Sequence, residues 1–138
     1  MGSKSRERAF RRSLESLGEI FAFTAEYFSE WNIPPEARSP VDLVVEELFT
    51  NCVKYNRKTT KDIVIGLELR DREIAVSLTD FDGGAFDLLE RPPVDIGKPI
   101  EKRKPGGLGI HLVKKLVDRI EQENTSGKNK ITFFKRLE

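Results

Sequence analysis

At 138 residues the chain is long enough for one domain with one sizeable core, and its charged residues, 34% of the total, cancel to a net charge of +1. That balance argues against a dedicated nucleic-acid binder, which carries a clear basic excess. The single cysteine, Cys52, excludes an intrachain disulfide and suits a reducing cytoplasm, no apolar run is long enough for a membrane span, and the basic, polar stretch Met1 to Arg12 lacks the apolar segment of a secretory leader.

In chain order, Leu14, Leu17, Ile20, Phe21, Thr24 and Phe28 recur at spacings of three and four, which predicts an amphipathic helix from about Ser13 to Trp31. Asn32-Ile33-Pro34-Pro35 should stop it, since proline cannot continue the hydrogen-bond ladder. Ser39-Pro40 reads as the opening of a second helix, with Ser39 as N-cap, running to about Tyr55. Ile63, Ile65, Leu67 and Leu69 alternate, Asp71-Arg72 makes a turn, and Ile74, Val76 and Leu78 alternate again, predicting an antiparallel hairpin with one buried face. Phe81 to Pro105 is a long connection holding Gly83-Gly84, Pro92-Pro93 and the basic run Lys102-Arg103-Lys104, a length typical of a lid or binding loop. A third helix is expected from about Leu108 to Arg119, then a polar turn from Asn124 to Lys130, then a last strand from Ile131 to Lys135. The order implies one α+β domain over residues 1–138, a two-layer sandwich with helices on one face of a mostly antiparallel sheet.

Three places can carry chemistry. Glu47 and Asn51 are four apart on the second helix and so share a face. A carboxamide oxygen is a hard ligand for Mg²⁺, and a carboxylate beside it can order or deprotonate a group near a terminal phosphate. The plainer reading is a solvated polar stripe, but the pair lies among bulky apolar residues from Val44 to Val53. Glu46 is the competing acid and should point away from Asn51. Asp80 ends the second strand in phase with its buried face, where a carboxylate needs a partner, and the exocyclic amine of adenine would be one. The competing candidate, Asp82, reads more simply as a turn aspartate before Gly83-Gly84.

The third place is Gly106-Gly107-Leu108-Gly109, where glycines at a helix mouth let backbone amides approach phosphate oxygens. A bare glycine cluster is also a common kind of loop. Lys102, Arg103 and Lys104 could add cationic contacts or form a solvated charge run. No Walker loop is present, and no βαβ unit surrounds the glycines. The lone histidine, His111, has no second ligand for a metal, and Cys52 reads as a small buried residue.

Taken together, Glu47-x-x-x-Asn51, strand-Asp80-x-x-Gly83 and Gly106-Gly107-Leu108-Gly109-Ile110 stand in one order that resembles the N, G1 and G2 boxes of the GHKL (histidine-kinase-like) ATPases. Within them the chain looks like the small anti-sigma-factor serine kinases, and Phe86-Asp87, Arg103, Asp118 and Asn129 also fit. The resemblance implies a Bergerat fold binding ATP and Mg²⁺, with an ATP lid over about residues 84–107. It makes Glu47 the general base, Asn51 the magnesium ligand and Asp80 the adenine partner. Gly83 and Gly84 would border the base pocket, Arg103 would reach the terminal phosphate, and Gly106, Gly107, Leu108, Gly109 and Ile110 would line the phosphate site. One departure stands out: Asp80-Phe81-Asp82-Gly83-Gly84-Ala85-Phe86 carries an extra residue relative to the family's Asp-x-Gly spacing, and alignment on Asp82-x-Gly84 leaves one too few. The implied partners are a STAS anti-anti-sigma protein, a sigma factor and a second copy of the chain through Phe10 and the first helix. Direct nucleic-acid contact and membrane insertion are not expected, and the implied location is the cytoplasm. The other readings are a non-catalytic ATP-dependent module of a partner-switching or two-component pathway and, less well supported, the ATP domain of a sensor histidine kinase.

Overall fold

The alternation that marks the hairpin in the sequence also fixes its register, because a slip by one residue would turn every apolar side chain to the wrong face. In the computed structural model, which describes residues 4–56, 59–81, 113–125 and 127–137, strand β2 (Ile63–Arg70) pairs antiparallel with β3 (Glu73–Phe81). Ile65 stands opposite Leu78 and Leu67 opposite Val76. Asp71 takes the left-handed φ of 43° that the tight turn requires. Among the described residues the sheet has five strands in the order β1-β2-β3-β5-β4, every neighbouring pair antiparallel.

Helices α1 (Leu17–Glu30) and α2 (Arg38–Tyr55) supply the other half of the core. Ile20 and Phe28 of α1 and Val41, Val44, Val45, Leu48 and Phe49 of α2 join Ile63, Ile65, Leu67, Ile74, Val76, Leu78, Ile131 and Phe133 of the sheet in one buried cluster. Each such side chain contributes about 1.5–3 kcal/mol by leaving water. The helix layer on one sheet face is as expected. On the opposite face Phe134 is 2% exposed, roofed by the guanidiniums of Arg119 at 3.7 Å and Arg70 at 5.6 Å from its ring centroid.

The structure corrects several boundaries. The N-terminal segment, read only as basic and polar, is strand β1 (Ser5–Phe10) on the sheet edge, and all of it but Phe10 is exposed. Phe10 is 2% exposed and packs edge-on against Phe23, so its side chain belongs to the core and not to an exposed surface. The expected third helix does not reach Arg119. Residues 113–116 are helical, and Arg119 already opens strand β4 (Arg119–Thr125) beside β5 (Lys128–Arg136). Both edge strands are too charged to show an apolar period, and charge is how proteins keep free edges from pairing further.

The helix ends differ in mechanism. Asn32, with a φ of 52°, forms a left-handed cap: Ile33 N–H donates to Phe28 at 3.0 Å and Asn32 N–H to Ser29 at 3.4 Å. This cap closes α1 before Pro34 is reached. At the other boundary Ser39 is not a cap. Helix α2 begins at Arg38 after the 3₁₀ turn Pro35–Ala37, without a side-chain cap, and Pro40 falls in the first turn, where its missing donor has no intrahelical partner to lose.

Tyr27 joins the helix layer to the sheet edge. Its hydroxyl donates to the Lys4 carbonyl and accepts from Leu69 N–H at 2.7 Å, and burial pushes its pKa up. Tyr27→Phe removes the donor for one carbonyl and the acceptor for one partly buried N–H. It is expected to destabilise the fold by about 1–3 kcal/mol, read from the urea midpoint at unchanged slope.

Candidate functional site

Helix α2 sorts its polar residues by face. Glu46 is exposed, Glu47 is half-buried, and Asn51 is 1% exposed. The expectation that Glu47 and not Glu46 shares the Asn51 face is met by helical phase. The Asn51 amide is the unusual member: its Nδ2 is buried without a hydrogen-bond partner among the described residues. A buried amide without a partner costs about 1–3 kcal/mol, which makes it a candidate for a ligand contact. Turned by half a rotation about its last bond, the same amide presents its oxygen, a choice that X-ray density itself rarely distinguishes. The residue therefore fits a magnesium ligand. No group of three or more His, Cys, Asp and Glu gathers to hold a metal among the described residues. Magnesium needs no such group, since it binds through one or two protein oxygens plus substrate phosphates and waters.

Asp80 sits at the end of β3 with 1% exposure, on the helix side of the sheet as its strand phase predicts. It forms an ion pair with Arg12, whose side chain is 7% exposed. Asn56 Nδ2 donates to its other oxygen at 2.9 Å, and Phe81 N–H donates at 2.9 Å to the oxygen that meets Arg12. Asn56 closes the C-terminus of α2 and reaches the Phe81 carbonyl at 3.3 Å, so one side chain fixes the helix end against the strand end. Arg12 and Asn56 were not visible as site residues in the sequence. Arg12 is one of several cations in a polar segment, and Asn56 lies just past a helix end, where asparagine is ordinary.

Asn129 pairs with Asp80 across the β3–β5 ladder, is 3% exposed, and accepts from Gln122 at 2.8 Å. Asp118 holds backbone in place: its carboxylate accepts from Arg136 N–H at 2.7 Å, and its own N–H donates to Phe134 at 2.9 Å. Gly83, Gly84, Arg103, Gly106, Gly107, Leu108, Gly109 and Ile110 lie outside the described residues, as do Asp82, Phe86, Asp87, Lys102, Lys104 and His111. The structure thus brings Asp80 and the end of the Asn51 helix together through Asn56, and does not place the lid. No described helix is long and apolar enough to cross a membrane.

Residues 10–135 of the chain match the histidine kinase-like ATPase domain family. The chain is 30% identical over 91 residues to the serine-protein kinase RsbW of Halalkalibacterium halodurans, covering 63% of this chain and 56% of that protein. It is 31% identical over 98 residues to the RsbW of Oceanobacillus iheyensis, covering 67% and 61%. The match thus spans less than two thirds of either kinase. In structure it resembles the crystal structure of the RsbU and RsbW domains of Rv1364c from Mycobacterium tuberculosis, with a TM-score of 0.69 at 15% identity over 96% of this chain and 32% of that one.

The Cys52 thiol is buried beside Asp80, and burial first, then the carboxylate's charge, hold its pKa well above the ordinary thiol range. The thiolate is the reactive form, so native protein at pH 8 should react with a disulfide reagent more than about tenfold slower than protein unfolded in urea. Stopped-flow absorbance checks this, and equal rates would mean that the thiol is not enclosed.

Proposed function

The chain belongs to the histidine kinase-like ATPase domain family, and we propose that it acts there as an anti-sigma-factor-type serine kinase. In this reading it binds ATP and phosphorylates a serine on a STAS anti-anti-sigma protein. It regulates a sigma factor by exchanging partners with nucleotide and phosphorylation state. The observation that carries the reading is the Asn51 amide, buried without a partner among the described residues one helical turn from Glu47, on a helix whose end is tied to the buried Asp80. The similarity to the RsbW kinases supports the choice of serine as acceptor.

Each described residue then has a task. Asp80 accepts a hydrogen bond from the adenine amine. Glu47 takes the proton from the substrate serine hydroxyl as it attacks the terminal phosphorus and the bond to the bridging oxygen breaks to release ADP, a positioned general base contributing about 10²–10⁴ in rate. Asn51 would hold Mg²⁺, which when bound neutralises phosphate charge. Gly83 and Gly84 at the base pocket, Arg103 at the terminal phosphate, and Gly106, Gly107, Leu108, Gly109 and Ile110 at the phosphates complete the proposal. A homodimer using surfaces other than Phe10, and a cytoplasmic location, go with it.

The deciding experiment incubates the protein with ATP, Mg²⁺ and a STAS protein already shown to bind it, and follows phosphoserine by mass spectrometry. Phosphoserine should form, and Glu47→Gln should slow it by about 10²-fold or more while ATP affinity stays within about threefold. Asn51→Ala should abolish the gain in ATP affinity that Mg²⁺ brings. Tight ATP binding with no phosphoserine on a bound partner would instead mark a non-catalytic module.

A further inference from the structure

Arg12 is buried, cationic and far in sequence from everything it touches. Its Nη2 pairs with Asp80, its Nη1 donates to the Cys52 carbonyl at 3.3 Å, and its Nε donates to the Lys61 carbonyl at 3.1 Å. One planar fork thereby joins the segment after β1 to the end of α2, the approach to β2 and the end of β3. An ammonium could not reach all three acceptors in that geometry.

A carboxylate offers about four acceptor sites, two on each oxygen. At Asp80 the oxygen Oδ1 takes Arg12 Nη2 and Phe81 N–H, and Oδ2 takes Asn56 Nδ2 at 2.9 Å. Three N–H donors among the described residues therefore hold the carboxylate, and the Cys52 thiol adds a weak S–H hydrogen bond, the one partner that a stronger ligand N–H would displace. Without the guanidinium the carboxylate loses the partner that fixes Oδ1, and its side chain is free to turn away from a ligand.

We propose that Arg12 is a positioning residue of the adenine subsite, holding the Asp80 carboxylate in one orientation so that the pocket selects purines bearing a 6-amino group over those bearing a 6-oxo group. The proposal rests on the reading of Asp80 as the adenine partner. Arg12 itself need not touch the nucleotide; it acts through the carboxylate.

The test measures affinities of the intact protein for ATP, GTP and purine riboside triphosphate, which lacks any 6-substituent, by calorimetry. Wild type is compared with Arg12→Ala, Arg12→Lys and Asp80→Asn, each checked for folding by thermal melting. Arg12→Ala should weaken ATP about ten- to a hundredfold, the worth of one hydrogen bond to a charged group, yet leave purine riboside triphosphate within about threefold. The preference for ATP over GTP should shrink by the same factor, and Arg12→Lys should recover part of it. Equal losses for ATP and purine riboside triphosphate would reduce Arg12 to general packing and overturn the proposal. Unchanged ATP affinity in folded Arg12→Ala would overturn it too. If Arg12→Ala does not fold, the ratio of the two losses in Arg12→Lys decides in the same way. Asp80→Asn separates the two levels: full ATP affinity there sinks the adenine reading itself, whereas loss there with none in Arg12→Ala sinks only the role of Arg12.

Discussion

A carboxylate on the buried face of a sheet must be answered by a cation, and Asp80 is answered by Arg12. Burial of both groups makes the pair demanding. Desolvating two charges is expensive, so the geometry has to be supported by further hydrogen bonds, and it is: Asn56 and Phe81 donate to the acid, and the carbonyls of Cys52 and Lys61 accept from the base. A set of this kind cannot be assembled piecemeal. It joins the end of β3, the end of α2 and the segment between β1 and the first helical turn.

The same demand explains why polarity is concentrated at one end of the core. Toward the middle, α2 and the sheet meet through Val44, Val45, Leu48 and Phe49 and through Ile65, Leu67 and Val76. Near the C-terminus of α2 come Asn51, Cys52 and Asn56, and across from them Asp80 and Asn129, all nearly inaccessible. An apolar set at these positions would cost the fold less. The Asn51 amide is buried there without a partner among the described residues.

The edges of the sheet follow a different rule. Strands β1 and β4 carry Arg6, Glu7 and Arg8, and Arg119, Glu121 and Glu123, and owe their extended form to pairing with β2 and β5 rather than to burial of their own side chains. Phe10 and Tyr27 anchor the first of them, one through its ring and the other through its hydroxyl.

The sequence by itself determined the elements that bury an apolar face. The spacing of three and four in α1 and α2 and the alternation of two in β2, β3 and β5 report burial directly, because the side chains that leave water are the ones that repeat. It also marked Glu47, Asn51 and Asp80, since polar residues in apolar company are conspicuous. Only the tertiary structure decided what answers them. β1 and β4 became strands through hydrogen bonds to neighbours far along the chain, α1 stopped at the left-handed Asn32 before any proline, and Arg12 met Asp80 across 68 positions of sequence. A periodic pattern records which face of an element is dry. It holds no record of which distant group will neutralise a buried charge, because that is set by how the elements stack.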